Sequence, residues 1–287
     1  MFARTHSQYW KICSSIRQKR YASGNQTNII FGANTDVGKT VITAGLIRAS
    51  GNTSHYVKPL QCGGSDQRFV EKYATNVTSA TTLFEWETPA SPHYAARVEN
   101  KPISDEQVIT SLKDCLDSLN SPMTWVETAG GVMSPSSSSP DNNGPHHARD
   151  KELSWGWVPQ ADLYQTFSDS MSAVLIGDGR LGGISATLTA LESLLIRGYN
   201  VSGVIVIEKG YENQKAIQEY ASREVDGRTA TSTIFRYPES SIVSLPELPP
   251  EPEPLDDWYH SEETTKALES FVQVHLNQAW EDCKSAN

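Results

Sequence analysis

The chain has 287 residues, enough for one large α/β domain or two small ones, and its 38% hydrophobic content can supply a core. A net charge of −10 argues against general nucleic-acid binding, which needs a basic face, and no apolar run approaches the length of a membrane span. The cysteines at 13, 62, 115 and 283 include no Cys-x-x-Cys pair, so neither a zinc site nor a disulfide framework is indicated, and a reduced compartment fits.

Residues 1–35 contain no Asp or Glu, while Arg4, Lys11, Arg17, Lys19 and Arg20 are interleaved with Phe2, Tyr9, Trp10, Ile12 and Ile16. This is the composition of a mitochondrial transit peptide, ahead of the alternative of an unstructured basic tail. Residues 1–24 are therefore expected to stand outside the fold, and the protein is expected in the mitochondrial matrix.

Ile29-Ile30-Phe31 reads as a buried strand. It leads into the turn Gly32-Ala33-Asn34-Thr35-Asp36-Val37-Gly38-Lys39-Thr40 and then into a helix through Val41 to Arg48. Backbone N–H groups at a helix start lack intrahelical partners and point at an anion, so this turn suits phosphate. Lys39 would reach the terminal phosphates, and Thr40 would offer its hydroxyl to Mg²⁺. A Walker A loop has four residues between its first glycine and Gly-Lys; here five separate Gly32 from Gly38, and Ala33 takes the usual glycine place. The competing reading is an ordinary βα turn that contains Gly-Lys-Thr. On the phosphate reading the nucleotide contacts are Asn34, Thr35, Asp36, Val37, Gly38, Lys39, Thr40 and Val41.

His55-Tyr56-Val57 predicts a second strand, ending in Lys58-Pro59. A polar loop, Gln61 to Asp66, precedes a helix from about Gln67, and the run around Pro89, Ser91, Pro92 and His93 reads as irregular. Ser104 and Gln107 make a capping box, and Val108, Leu112, Cys115, Leu116 and Leu119 give the helix behind it one apolar face. Met123 to Val126 is the next buried strand, ending in Glu127-Thr128-Ala129-Gly130-Gly131. Residues 134–160 are rich in Ser, Pro, Asn and Gly and read as a solvated insertion. Lying at the surface is preferred over covering the site, and His146 and His147 are read as surface residues rather than metal ligands. Ala173 to Gly177 and Val201 to Ile207 are further strands, with helices over 185–197 and 210–223, and 241–245 is a short last strand. Pro246 to Pro254 is an extended link. Beyond it Ser261 caps a helix whose Ala267, Leu268, Phe271, Val272, Leu276 and Trp280 share a face, either docked on the core or part of an interface.

Apolar strands alternating with amphipathic helices predict an α/β fold of the P-loop type: a doubly wound, mostly parallel sheet with helices on both faces. The main domain is expected over 25–245, with link and helix over 246–287. Functional groups in such sheets collect past the carboxyl ends of strands. Those ends carry Lys39 and Thr40, Lys58, Glu127, and Asp178-Gly179-Arg180 with Leu181-Gly182-Gly183; Asp66 follows the second strand.

In combination, the loop Gly32–Thr40 with its five-residue gap, Lys58-Pro59, Pro89-Ala90-Ser91-Pro92-His93, Glu127-Thr128-Ala129-Gly130-Gly131 and Gly177-Asp178-Gly179-Arg180-Leu181-Gly182-Gly183-Ile184-Ser185 resemble the dethiobiotin synthase family over about 27–245. The last segment is similar to the eukaryotic form, fused ahead of a diaminopelargonate aminotransferase. The resemblance implies ATP- and Mg²⁺-dependent carboxylation and ring closure of 7,8-diaminopelargonate with CO₂, through a carbamate and a carbamic-phosphoric anhydride. It implies catalytic roles for Lys39, Lys58 and Thr35, and a metal held by Thr40, Asp66 and Glu127. It also implies substrate contacts from Lys58, Cys62, Gly130, Gly131, Leu181, Gly182, Gly183, Ile184 and Ser185. The segment Leu181–Ser185 matches the one that binds the substrate carboxylate of a neighbouring subunit, which implies a homodimer, and association with the aminotransferase follows from the fusion. Three positions depart from the bacterial pattern: Asp36 replaces Glu, Cys62 replaces a small hydroxyl residue, and Ile207-Glu208 replaces the Asn-Asp that reads adenine. Two rival functions are a deviant P-loop switch ATPase, whose signature lysine would stand at Asn34, and a catalytically inactive domain that scaffolds the aminotransferase.

Overall fold

The computed structural model describes residues 26–141, 155–221, 241–250 and 253–277. The transit-peptide expectation, His146, His147 and Trp280 lie outside them. Seven strands form one sheet: β1 (Gln26–Gly32), β2 (Ser54–Cys62), β3 (Val77–Trp86), β4 (Met123–Glu127), β5 (Ser172–Gly177), β6 (Asn200–Ile207) and β7 (Ile242–Leu245). Their order is β3-β2-β4-β1-β5-β6-β7, and every neighbouring pair is parallel.

Alternate residues of a strand face opposite sides of the sheet, so a strand buried on both sides must be apolar throughout. In β1, Ile29 and Phe31 enter one core, with Val108, Leu112, Leu191 and Leu194 from the helices α4 (Asp105–Ser118) and α6 (Gly183–Ile196). Ile30 enters the other, with Ile42 and Leu46 of α1 (Lys39–Ser50) and Val70 of α2 (Asp66–Tyr73). β1 sends its chain through α1 to β2, on one side of it. Its neighbour β4 sends its chain through α5 (Gln160–Leu163) to β5, on the other side. Adjacent strands that diverge in this way open a crevice at their carboxyl ends, where ligands bind in doubly wound sheets.

Several elements depart from the sequence reading. β2 runs four residues past Lys58 to Cys62, through Pro59. Its ladder with β4 ends at Val57 opposite Val126, so beyond that point one side of β2 is unpaired and the missing donor of Pro59 costs no ladder bond there. β3 and the helix α3 (Pro92–Val98) occupy a stretch for which the sequence predicts no strand and an irregular run. β3 is a half-exposed edge strand rich in Thr and Ser, without the continuous apolar signal of its neighbours.

The solvated insertion expected at 134–160 is corrected at both ends. Pro135 bridges Pro159 and Ser139 bridges Gly156, both antiparallel, and Ser136, Ser137 and Ser138 are fully buried. Ser136 is packed with its hydroxyl bonded: its Oγ donates to Asp105 Oδ1 at 2.7 Å and accepts from the Val158 N–H at 3.0 Å. Residues 142–154 lie outside the described part.

The described residues between Leu255 and Val272 pack into the α1-side core. Trp258 and Tyr259 of α8 (Asp256–His260), Leu268 and Phe271 of α9 (Glu262–Phe271), and Val272 are all buried there. Ser261 caps α9 by accepting the Thr264 N–H at 3.3 Å. Close approach is possible because α1 carries Gly45, where a Cβ would lie 2.7 Å from Leu268 Cδ1. The Tyr259 hydroxyl donates to the Val41 carbonyl at 2.8 Å. Leu268→Ala is therefore expected to cost about 2–4 kcal/mol of stability, since it opens a cavity against α1. Equilibrium denaturation reads this directly, and a loss below about 0.5 kcal/mol would mean that α9 is not part of the core.

Candidate functional site

The crevice between β1 and β4 receives the loop from Gly32 to Thr40. Val132 donates to the Gly32 carbonyl at 2.9 Å and Ala33 donates to the Ile176 carbonyl at 2.7 Å, so the loop is seated across three strand ends. Gly38 precedes α1 with φ +86°, and no side chain caps the helix start. A Cβ at Gly38 would also approach Ile207 Cδ1 at 2.6 Å, a second reason for glycine. Asn34, Thr35 and Asp36 are exposed, Val37 is buried and Val41 half-buried. A glycine-started helix with an uncapped first turn suits an anion.

Five charged or hydroxyl groups expected from the sequence meet beside this loop. Glu127, at the end of β4, is fully buried. Its Oε1 accepts from Thr40 Oγ1 at 2.8 Å and from Lys58 Nζ at 2.8 Å, and its Oε2 accepts from the Tyr56 hydroxyl at 3.1 Å. Lys58, 4% exposed, also pairs with Asp66 Oδ2 at 2.6 Å and donates to the Thr128 carbonyl at 3.3 Å. Burial disfavours the Lys58 charge, but Glu127 and Asp66 outweigh it and hold its pKa above the ordinary lysine value. Burial pushes Asp66 upward, and the attraction and hydrogen bond of Lys58 reverse this, holding the carboxyl below its usual range. Lys39 is buried with no comparable pairing among the described residues. Desolvation, with the Lys58 charge added, pulls it down to about 8.

Among the described residues there is no group of three His, Cys, Asp or Glu able to hold a metal. The oxygen set expected from the sequence is of another kind: a hydroxyl, Thr40, with two carboxylates, Glu127 and Asp66, all gathered on Lys58 or on one another. Hard oxygen donors of this type fit Mg²⁺ and are a poor match for soft metals.

The remaining candidates line the rim. Gly130, with φ +67°, and Gly131 turn the chain after β4, and the Gly131 N–H donates to Ser134 Oγ at 2.8 Å. Leu181 is 81% exposed, and Gly182, Ile184 and Ser185 are exposed beside it. Gly182 has φ +86° and α6 begins at Gly183, two residues earlier than expected from the sequence; no side chain caps it. Gly183 itself is buried, and a Cβ there would fall 1.8 Å from the Asp178 carbonyl oxygen. Cys62 is half-buried, and burial, with Glu99 nearby, pushes its thiol up to about 12, so it stands as a neutral group. Glu208 accepts the Gln214 N–H at 3.0 Å and so fixes the start of α7 (Asn213–Ala221).

Sequence reasoning missed two contributors. Tyr56 in an apolar strand reads as core, yet its hydroxyl holds the second oxygen of Glu127. Asn213 carried no motif, yet its Nδ2 donates to the carbonyls of Asp178 at 2.9 Å and Arg180 at 2.8 Å.

A family model described as an AAA domain matches residues 26–143. The mitochondrial bifunctional dethiobiotin synthetase/7,8-diamino-pelargonic acid aminotransferase of Oryza sativa subsp. japonica is 31% identical, over 84% of this chain and 33% of its own length. The bifunctional dethiobiotin synthetase/adenosylmethionine-8-amino-7-oxononanoate aminotransferase of Emericella nidulans is 32% identical, over 79% of this chain and 26% of its own. This chain thus spans a third or less of those two fused relatives. The single-function ATP-dependent dethiobiotin synthetase of Agrobacterium fabrum is 29% identical, over 78% of this chain and 88% of its own. The chain is homologous to the dethiobiotin synthetases, in both their fused and their single-function forms.

Proposed function

We propose that this protein is an ATP-dependent dethiobiotin synthetase, converting 7,8-diaminopelargonate, CO₂ and ATP to dethiobiotin, ADP and phosphate. The observation that carries the reading is Lys58: a buried ammonium placed between Glu127 and Asp66, beside the loop that holds Lys39. Homology to enzymes named for this activity supports it.

The first step adds a substrate amine to CO₂ and releases a proton, giving a carbamate. The carbamate oxygen then attacks the γ-phosphoryl group, ADP leaves, and a carbamic-phosphoric anhydride forms. Finally the second amine attacks the carbonyl carbon, phosphate departs and the ureido ring closes. The second step brings two anions together, so it needs fixed cations more than it needs a base. Lys58, held protonated by its carboxylates, cannot accept a proton and instead holds the carbamate oxygens. Lys39, still largely a cation at neutral pH, draws charge from the transferring phosphoryl group, and Thr35 contacts both nucleotide and substrate. Tyr56 and Thr40 keep Glu127 oriented. Thr40, Asp66 and Glu127 are the residues that would hold Mg²⁺, which when bound supplies further positive charge to the phosphate oxygens.

Asn34, Asp36, Val37, Gly38 and Val41 complete the nucleotide contacts. Cys62, Gly130 and Gly131 border the diamine. The turn Leu181–Ser185, exposed except at Gly183, takes the substrate carboxylate across a homodimer, on the N–H groups of the first turn of α6 beyond Gly183, whose own N–H is bonded to the Arg180 carbonyl. The fused relatives support association with a diaminopelargonate aminotransferase. The acid-free basic N-terminus, together with plant relatives whose names include "mitochondrial", supports the mitochondrial matrix. No helix among the described residues is long and apolar enough to cross a membrane.

A switch ATPase of the deviant P-loop group would hydrolyse ATP without small-molecule substrates, and an inactive scaffold would not hydrolyse it at all. Phosphate release separates the three. The synthetase reading expects release only when diamine and bicarbonate are both present; release that ignores them, or none in any mixture, would reject it.

A further inference from the structure

We propose that Asp178 and Arg180 are a positioning pair that ties the tip of the phosphate loop to the turn opening α6, so that the nucleotide half and the carboxylate half of the site are held as one unit. The inference deepens the function proposed above, and its geometry depends only on the nucleotide assignment of the loop.

The tip of the loop is the part that needs an anchor. Asn34, Thr35 and Asp36 are exposed, and Asp36 adopts φ +56°, a conformation unfavourable for a residue other than glycine. Arg180 reaches across 145 positions of sequence to hold it, its Nη2 donating to the Thr35 carbonyl at 3.0 Å. The same guanidinium grips Asp178 with two donors, Nε to Oδ1 at 2.9 Å and Nη2 to Oδ2 at 2.8 Å. Asn34 Nδ2 closes the ring on Asp178 Oδ2 at 3.3 Å, and the Asn34 side-chain oxygen accepts the Thr35 N–H at 2.8 Å. Asn34 and Thr35, two of the three tip residues, are therefore bonded to one carboxylate–guanidinium pair.

That pair is itself fixed from behind. The Asp178 N–H donates to Thr187 Oγ1 at 2.9 Å, from the body of α6. Asn213, at the start of α7, holds the carbonyls of both Asp178 and Arg180, and the Gly183 N–H donates to the Arg180 carbonyl at 2.9 Å. Asp178 is 5% exposed, while the Arg180 side chain is 47% exposed, so the carboxylate is the strut and the guanidinium the arm. An exposed ion pair on its own contributes little. This one joins two segments whose relative position sets the site, and a loop ordered in advance binds its ligand without a further ordering cost. Only a planar guanidinium meets a carboxylate edge-on while keeping a donor for a third oxygen; a lysine ammonium has no such fork.

The test uses the full chain and titrates MgADP by calorimetry, alongside thermal unfolding. Arg180→Ala is expected to weaken MgADP binding about 10-fold, with Arg180→Lys recovering only a minor part of the loss. In turnover, the KM values for ATP and for diamine are expected to rise together, because one pair positions both halves. Unchanged MgADP affinity in Arg180→Ala, even with a lowered Tm, would reduce the pair to a structural role and overturn the proposal; so would full recovery in Arg180→Lys. Asp178→Asn should reproduce the Arg180→Ala phenotype, and if it does not fold, the exposed Arg180 variants still decide. Wild-type protein that binds MgADP yet makes no dethiobiotin would sink the synthetase reading and leave the pair to be judged by the titration. Wild-type protein that binds no MgADP would overturn both.

Discussion

Lys39→Gln should lower kcat for diamine-dependent phosphate release by at least ~100-fold while leaving the folded protein as stable as before, or more so. On the proposed function, the rate effect follows from removing a preorganised cation aimed at the transferring phosphoryl group. The stability effect has the opposite sign because the lysine is buried and carries its charge at a cost. Its pKa falls from 10.5 to about 8 on folding, so the folded state is destabilised wherever the group is protonated in both states, below pH about 8. A neutral glutamine removes that penalty, worth on the order of 1–3 kcal/mol. A site whose stability rises as its activity falls is a mark of functional strain. The same depressed pKa makes ATP binding pH-dependent: affinity should weaken as pH rises through about 8, because binding then requires proton uptake. Near-normal kcat in Lys39→Gln would reject the phosphate-loop assignment.

Lys58→Ala should have the largest effect on the protein as a whole. It leaves the fully buried Glu127 and its neighbour Asp66 without the ammonium between them. Removing one partner of a buried charge pair costs about 3–5 kcal/mol, far more than the net worth of the intact pair. The pH dependence can be assigned. Asp66 has a lowered folded pKa, so its share of stability is present above the ordinary carboxylate range and is lost as pH falls through the lowered value. Lys58 has a raised folded pKa, so its share is complete below the ordinary lysine value and is lost as pH rises through the raised one. The wild type should therefore exceed the variant across the whole neutral range, with the gap closing at acid pH. Mg²⁺ should raise the Tm of Lys58→Ala more than that of the wild type, because the oxygen set it would occupy is no longer neutralised by the lysine. Equal shifts in the two proteins would mean that Thr40, Asp66 and Glu127 are not the metal ligands. Diamine-dependent turnover should disappear in this variant while MgADP binding persists.

What could be read from the sequence divides along physical lines. β1, the loop and α1 were legible because each requirement is local: a short apolar strand, glycine before a helix start, and Gly-Lys-Thr in its first turn. The α4 cap was legible for the same reason, and Ser104 and Gln107 bond each other's backbone as expected. Lys58 and Glu127 stood out because charges at the carboxyl ends of apolar strands have little structural reason to be there. Their direct contact was not legible, since it depends on the β2–β4 pairing, which no local pattern encodes. Tyr56 was hidden because a buried tyrosine looks like packing until its hydroxyl is placed. The serines at 136–138 misled in the other direction: composition indicated solvent, while short bridges to the residues around 156–159 bury them. Ala267, Leu268 and Phe271 of α9 were readable from their helical spacing, although the chain turns into a π-helix over Val272–Asn277, where the expected 3.6-residue period does not hold. The seat of α9 beside Gly45 depended on a partner more than two hundred residues away.

The most direct measurement is mass spectrometry of a reaction containing the protein, 7,8-diaminopelargonate, ATP, Mg²⁺ and isotopically labelled bicarbonate. The account predicts dethiobiotin with the label in its ureido carbon, formed in step with ADP and absent when Lys58 is replaced by alanine. ATP turnover that yields no labelled dethiobiotin, or labelled product at an undiminished rate from Lys58→Ala, would contradict it.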